Sequence, residues 1–236
     1  NSVRDAILNE VDEPVNPDII FDGMTRMVQS MLHRLYPLGE IPDYEPDPSR
    51  SFVEIAKSNN ATPEEVLYDY MLKDEGHAMG MMPIFNYVDG NHDVIREMLL
   101  HPQAVSGLSD GGAHCGMICD ASIPTFMLSH WTRDRTRGEK LPLEWIIKKQ
   151  TLDTASLYGL SDRGSLKVGK RADLNVIDYE ALTLHGPKMA HDLPAGGRRL
   201  LQEATGYDYT IVAGQITRDH GKDTGKRPGH LIRGAR

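Results

Sequence analysis

The sequence predicts an α/β fold over residues 1–163 followed by a smaller all-β segment over residues 164–236. Three observations lead there. Between residues 81 and 131, apolar runs of strand type alternate with helical periodicity across short joints, the pattern of a parallel sheet. After about residue 163 the helical period stops and short alternating runs replace it. Glycines also become frequent at that point.

The elements follow in order. Ile20, Met24, Met27, Val28, Met31, Leu32 and Leu35 recur at three- and four-residue steps and predict an amphipathic helix, which Tyr36-Pro37 ends. Pro42, Pro46 and Pro48 hold an extended acidic loop around Tyr44 and Glu45. Thr62-Pro63-Glu64-Glu65 is a capping box with proline at the first helical position, and Val66, Leu67, Tyr70 and Met71 share the face behind it. Residues 81–88 read as a strand with Pro83 near its start, and Asn91 can cap a helix carrying Val94, Ile95, Met98 and Leu99. A short apolar run, residues 104–108, leads into Ser109-Asp110-Gly111-Gly112. A further helix follows Ser122, with Pro124 early and Phe126, Met127 and Trp131 inside it. In the β segment, residues 174–177 and 209–212 alternate, and Ala213-Gly214 turns the latter into Gln215-Ile216-Thr217 as a hairpin. The eleven methionines, with a cluster at positions 79, 81 and 82, read as flexible core filler rather than a ligand surface.

Composition narrows the function classes. Lys and Arg total 26 against 34 Asp and Glu, a net charge of -8, which argues against binding nucleic acid through its phosphates. With 39% apolar and 25% charged residues the chain can bury a core. No apolar run approaches the roughly 18 residues of a membrane span. Two cysteines make no disulfide framework and point to a reducing, cytoplasmic compartment. The opening Asn1-Ser2-Val3-Arg4-Asp5 has neither an initiating Met nor a leader pattern, so the chain is expected to be the interior of a longer one.

The sharpest candidate for chemistry is Gly107-Leu108-Ser109-Asp110-Gly111-Gly112-Ala113-His114. A carboxylate at the C-terminal end of a buried parallel strand lies where α/β folds place their sites, and Gly111 and Gly112 allow a ligand or metal close to the backbone. His114, four residues past Asp110, can share the role. On pattern alone, Asp-Gly-Gly reads first as ordinary turn chemistry. Ser109 matches a nucleophile elbow only if Asp110 is accepted as its variable neighbour. Cys115 and Cys119 make a poor zinc site without a second pair and read as buried thiols. His77, His92 and His101 show no ligand spacing and are expected to be solvated or capping. Arg133, Arg135 and Arg137 are expected to form a solvated helix end. Tyr87 either faces a pocket or packs, and packing is the expectation.

These residues resemble the N-acyl-D-amino-acid deacylase (D-aminoacylase-like) branch of the amidohydrolase superfamily. Residues 107–114 are similar to that family's strand-eight motif. Residues 159–178, with Arg163, Gly164, Gly169, Ala172 and Asp173, resemble its return from barrel to β-sandwich. Asp192-Leu193-Pro194, Gly206-Tyr207, Val212-Ala213-Gly214 and residues 228–234 resemble its C-terminal end. The resemblance implies a (β/α)8 TIM-type barrel with a small β-sandwich, residues 1–163 being the C-terminal portion of the barrel and residues 164–236 the sandwich segment. It implies zinc-assisted hydrolysis of the amide bond of an N-acyl amino acid or related amide. Asp110 would be general base and a candidate metal contact, with Gly111, Gly112 and His114 near the substrate.

The departures are as informative. The family's His-x-His, its mid-barrel Cys, Glu or modified Lys, and its two later histidines are not located here, so the zinc ligand set is incomplete. Residues 1–163 fall short of the about 250 residues a barrel takes. No arginine follows Asp110 before Arg133 to hold a substrate carboxylate, which puts D-amino-acid specificity in doubt. Three readings follow. The chain is part of an enzyme completed by an N-terminal half, a silent fragment that dimerises to cover an open edge, or a non-enzymatic binding module on the same architecture.

Overall fold

The computed structural model describes residues 2–11, 14, 16, 18, 22–107, 116–117 and 120–233. It divides into two compact units, Asn1–Val94 and Ile95–Arg236.

The first unit is helical. It contains α1 (Ser2–Leu8), α2 (Asp22–Ser30), α3 (Phe52–Asn59) and α4 (Pro63–Met71). The amphipathic helix expected to reach Leu35 stops at Ser30 and tightens into a 3-10 turn, Leu32–Arg34. Tyr36-Pro37 then ends it, as its sequence predicts, and forms β1 (Tyr36–Pro37), which pairs antiparallel with β2 (Gly80–Met81). Leu32, Leu35 and Phe52 form the core, with Val28, Val66, Leu67 and Tyr70 packed against it. The Phe52 and Tyr70 rings meet edge to face at 5.2 Å, and the Tyr70 hydroxyl donates to the Met79 carbonyl at 3.1 Å. Burial raises the Tyr70 phenol above its ordinary pKa. Met82 packs on this core and Met79 and Met81 are half-buried, as filler should be.

The capping box is complete. The Glu65 amide donates to Thr62 Oγ1 at 3.2 Å and the Thr62 amide donates to Glu65 Oε2 at 2.9 Å. From α1, Arg4 reaches Asp69 in a two-pronged pair at 2.9 and 3.0 Å.

The strand expected over residues 81–88 is corrected. Only Gly80–Met81 is extended and paired. Pro83 offers no amide to a ladder, and Asn86 takes φ 58°, which breaks the alternation. Phe85 is 80% and Val88 87% exposed, while Tyr87 between them is buried. Among the described residues every strand pair is antiparallel, so the parallel ladder the rhythm suggests is not present there.

The next helix is α5 (Asp93–Leu100), opened by the Asn91 carboxamide oxygen accepting from the Asp93 amide at 2.9 Å. The second unit continues with α6 (Ile123–Ser129), which carries Pro124 in its first turn as expected and passes into a π-turn, His130–Asp134. Then α7 (Leu143–Lys148) passes into a second π-turn, Lys149–Asp153, before α8 (Thr154–Leu157). Met127, Trp131, Leu141 and Ile146 are the core here.

The remaining strands are β3 (Leu174–Ile177), β4 (Thr183–Leu184), β5 (Lys188–Leu193), β6 (Gly197–Leu201), β7 (Ala204–Thr205), β8 (Tyr207–Val212), β9 (Gln215–Asp219) and β10 (Lys222–Asp223). They form a four-stranded sheet, β10-β9-β8-β3, and the pairs β4-β7 and β5-β6. The β8–β9 hairpin turns at Ala213 and Gly214, both at positive φ, which is the I′ geometry that matches strand twist. Gly206 sits at φ 96° with a would-be Cβ 2.6 Å from Leu182 Cα, so only glycine fits there.

Thr62→Ala should lower stability by about 1 kcal/mol in urea denaturation, because the Glu65 amide in the α4 first turn loses its side-chain acceptor. Acid should act through the same region. The Arg4 hydrogen bond holds the Asp69 carboxyl below its usual range, and the Thr62 amide, aided by Arg4, does so for Glu65. Folded values below unfolded ones mean stabilisation that is present above about pH 4 and lost as pH falls through the folded values. The melting advantage of the wild type over Arg4→Met should therefore shrink steadily between about pH 5 and pH 2.

Candidate functional site

Asp110, Gly111, Gly112 and His114, the residues singled out for chemistry, lie outside the described residues, as do Ser109, Cys115 and Cys119. Their approach is described. Residues 104–107 have no regular structure; the Ala104 amide donates to the His101 carbonyl at 3.0 Å. The Ala104 carbonyl accepts from Lys149 Nζ at 2.6 Å.

One sequence expectation needs correction. His92, read as solvated or capping, is buried, and the Glu45 side chain of the acidic loop is buried with it in the first unit. Glu45 Oε1 accepts from the His92 amide at 2.7 Å, and Oε2 faces His92 Nδ1 at 3.9 Å. A buried carboxylate needs such donors, since desolvating it alone costs several kcal/mol. The Asp43 carboxylate accepts from the Glu45 amide at 3.0 Å and fixes the loop from the other side. Tyr87 packs, as expected: its hydroxyl donates to the Pro46 carbonyl at 2.6 Å, and its ring meets those of Tyr36 and His92 edge to face. Gly90 lets the segment cross Pro48, where a Cβ would stand 2.5 Å from the proline ring. No signal in a single chain links positions 45 and 92; only the proline-bent loop hinted at a fixed geometry.

Glu45 and His92 are donor types that zinc takes. In a tetrahedral site with arms of about 2.1 Å, ligand atoms stand about 3.4 Å apart, so the pair fits two positions after a small closure. It does not make a centre by itself, because catalytic zinc takes three protein ligands.

The other histidines behave as predicted. His77 Nδ1 meets its own turn at the Asp74 carbonyl, and His101 Nδ1 accepts from the Gln103 amide. Arg133 and Arg135 do not. Arg135 is 1% exposed, lies 4.9 Å over the Trp131 ring and donates to the Glu139 carbonyl at 2.7 Å. Arg133 is half-buried and donates to the carbonyls of Tyr179, Glu180 and Leu182. Arg133 lies in the π-turn His130–Asp134 and Arg135 caps its end, so both belong to the packed side of this segment rather than to a solvated one.

Residues 67–218 match the profile of the amidohydrolase family. Among solved structures, the chain is similar to D-aminoacylase, described as defining a novel subset of amidohydrolases, at 23% identity over 83% of this chain and 37% of that one, with a TM-score of 0.41. A second D-aminoacylase structure, from work on its binuclear metal centre, matches with the same figures. A mutant D-aminoacylase in complex with copper chloride matches at 22% identity over 82% and 36%, also with a TM-score of 0.41. This chain thus spans less than two-fifths of the length of the proteins it resembles. No curated protein sequence matches it.

Glu45→Ala should lower stability by about 2 kcal/mol, since a buried amide is left without its acceptor, while Glu45→Gln, which keeps a carbonyl oxygen, should cost less than about 1 kcal/mol. Urea titration of the two variants beside the wild type reads the difference.

Proposed function

Because the chain belongs to the amidohydrolase family, we propose that it carries the general base of a metal-dependent enzyme that hydrolyses the amide bond of an N-acyl amino acid, the D series included, or of a related small amide. The observation that carries this reading is the family match itself, which covers residues 67–218 and therefore the Gly107-to-His114 motif. Within this reading residues 1–163 belong to a barrel and residues 164–236 to a β-sandwich segment. An N-terminal half or a second copy completes the site, and the enzyme works in the cytoplasm. No described helix is long and apolar enough to cross a membrane.

Asp110 does the proton work. Its carboxylate takes a proton from the attacking water as the water oxygen bonds to the acyl carbon. When the C–N bond breaks, the same carboxyl returns that proton to the leaving nitrogen, so one residue serves as base and then acid. A zinc ion, when bound, supplies positive charge that polarises the carbonyl and eases loss of the water proton. Gly111 and Gly112 let the substrate approach the main chain, and His114 lines the acyl or amine side.

The test is turnover of a panel of N-acyl-D- and N-acyl-L-amino acids by the intact protein. Native mass spectrometry of the same preparation reads its partner chains and zinc. Asp110→Asn should lower kcat by a factor of about 1,000 or more while zinc content stays unchanged. Near-normal turnover in that variant would overturn the assignment of Asp110, and a metal-free, inactive homo-oligomer would overturn the enzymatic reading for this chain.

A further inference from the structure

Lys149 is the most unusual lysine described in the second unit. It is 4% exposed, and it opens the π-turn Lys149–Asp153 that interrupts the helix after α7. Its ammonium donates to the Ala104 carbonyl at 2.6 Å and lies 4.8 Å from the centre of the Trp145 ring. Among the described residues no carboxylate pairs with it, because the nearby Asp153 is taken by Lys148 at 2.6 Å. Burial holds its amine below the ordinary lysine pKa. The π-turn itself is secured: the Thr154 hydroxyl donates to the Lys149 carbonyl at 2.9 Å.

An ammonium buried against a carbonyl and a ring face costs several kcal/mol of desolvation, and an apolar side chain of the same length would fill the space more cheaply. What the lysine adds is a fixed point on the main chain at Ala104. That point belongs to the irregular run, residues 104–107, which no ladder holds. Asp110 lies six residues beyond it in the sequence.

We propose that Lys149 is a positioning residue, tethering the segment that leads to Asp110 through the Ala104 carbonyl. The inference rests on the catalytic role assigned to Asp110 above. The π-turn is part of the device. Lys149 opens that turn, and π-bulges in helices occur disproportionately at functional sites.

Hydrogen exchange of the full chain tests the tether without any need for activity. In Lys149→Met, peptides covering residues 102–107 should exchange about ten times faster than in the wild type, while peptides from α6 and α7 keep their rates. Lys149→Arg, which retains a donor, should restore most of the protection. Unchanged exchange at residues 102–107 overturns the proposal. So does an equal acceleration throughout residues 95–157, which would make Lys149 a mere support of the core. In a preparation that hydrolyses an N-acyl amino acid, Lys149→Met should lower kcat about 10- to 100-fold with KM within about twofold, and Lys149→Arg should recover it. An unchanged kcat overturns the positioning role. A wild type that turns over none of the amides overturns the proposed function instead, and the exchange result still decides the tether.

Discussion

One guanidinium joins helix to strand in the C-terminal unit. Arg133, in the π-turn after α6, donates to the Tyr179 carbonyl, to Glu180 O at 3.3 Å and to Leu182 O at 2.6 Å, and its other edge pairs with Asp134 at 2.6 Å. The Tyr179 ring lies 5.4 Å beneath it, and Tyr179 hydrogen-bonds Thr132 at 2.5 Å. The connection from β3 to β4 thereby has its carbonyls satisfied by a helix rather than by a neighbouring strand. Two lesser bonds repeat the arrangement: Thr125 with Tyr207 at 2.8 Å, and Ser122 with Gln202 at 2.5 Å. These bonds all lie inside one compact unit, Ile95–Arg236.

The stretch most like the family's barrel-to-sandwich return has a structural use of its own. The Asp173 carboxylate accepts from the Ala213 amide at 2.8 Å, where the β8–β9 hairpin turns, and from Arg171 at 2.8 and 2.9 Å, with Arg163 at 3.4 Å. The Gly214 amide donates to the Ala172 carbonyl at 2.9 Å. Arg171-Ala172-Asp173 therefore clasps the turn of the hairpin that follows some forty residues later. A motif of this kind marks fold rather than chemistry.

What the sequence made legible was local. The capping box at Thr62, the proline opening α6, the Asn91 turn before α5 and the Ala213-Gly214 hairpin each depend on a few consecutive residues, and each is present. The misread elements depend on partners far along the chain. Residues 81–88 have strand composition, but strand composition describes a half-buried pleat beside a neighbour, and here only Gly80–Met81 finds one. Arg135 reads as a helix-end cation until Trp131 and Gly138 are seen to make its slot; a Cβ on Gly138 would stand 2.5 Å from the guanidinium. Glu45 and His92 are 47 positions apart, and no period or spacing connects them. Of the candidate site, the motif around Asp110 was legible through resemblance, whereas the buried charges Glu45, Arg135 and Lys149 were not, because what buries each lies elsewhere in the chain.

Those buried charges share one habit. Glu45 takes the His92 amide, Lys149 the Ala104 carbonyl, Arg135 the Glu139 carbonyl, and Arg133 the carbonyls beyond β3. Each grips main chain in a segment that neither helix nor ladder secures. A hydrogen bond to a charged group contributes about 1.5–3 kcal/mol, and leaving the buried main-chain group unmade costs as much again. This explains how strands of two residues suffice at β1 and β2, since neighbouring loops are fixed by side chains instead. It also bears on function. A ladder fixes a segment along its whole length, whereas a single ionic grip fixes one carbonyl and leaves the residues beyond it free to follow a ligand. The irregular run after Ala104 is held in the second way, by Lys149 alone among the described side chains that bond its carbonyls.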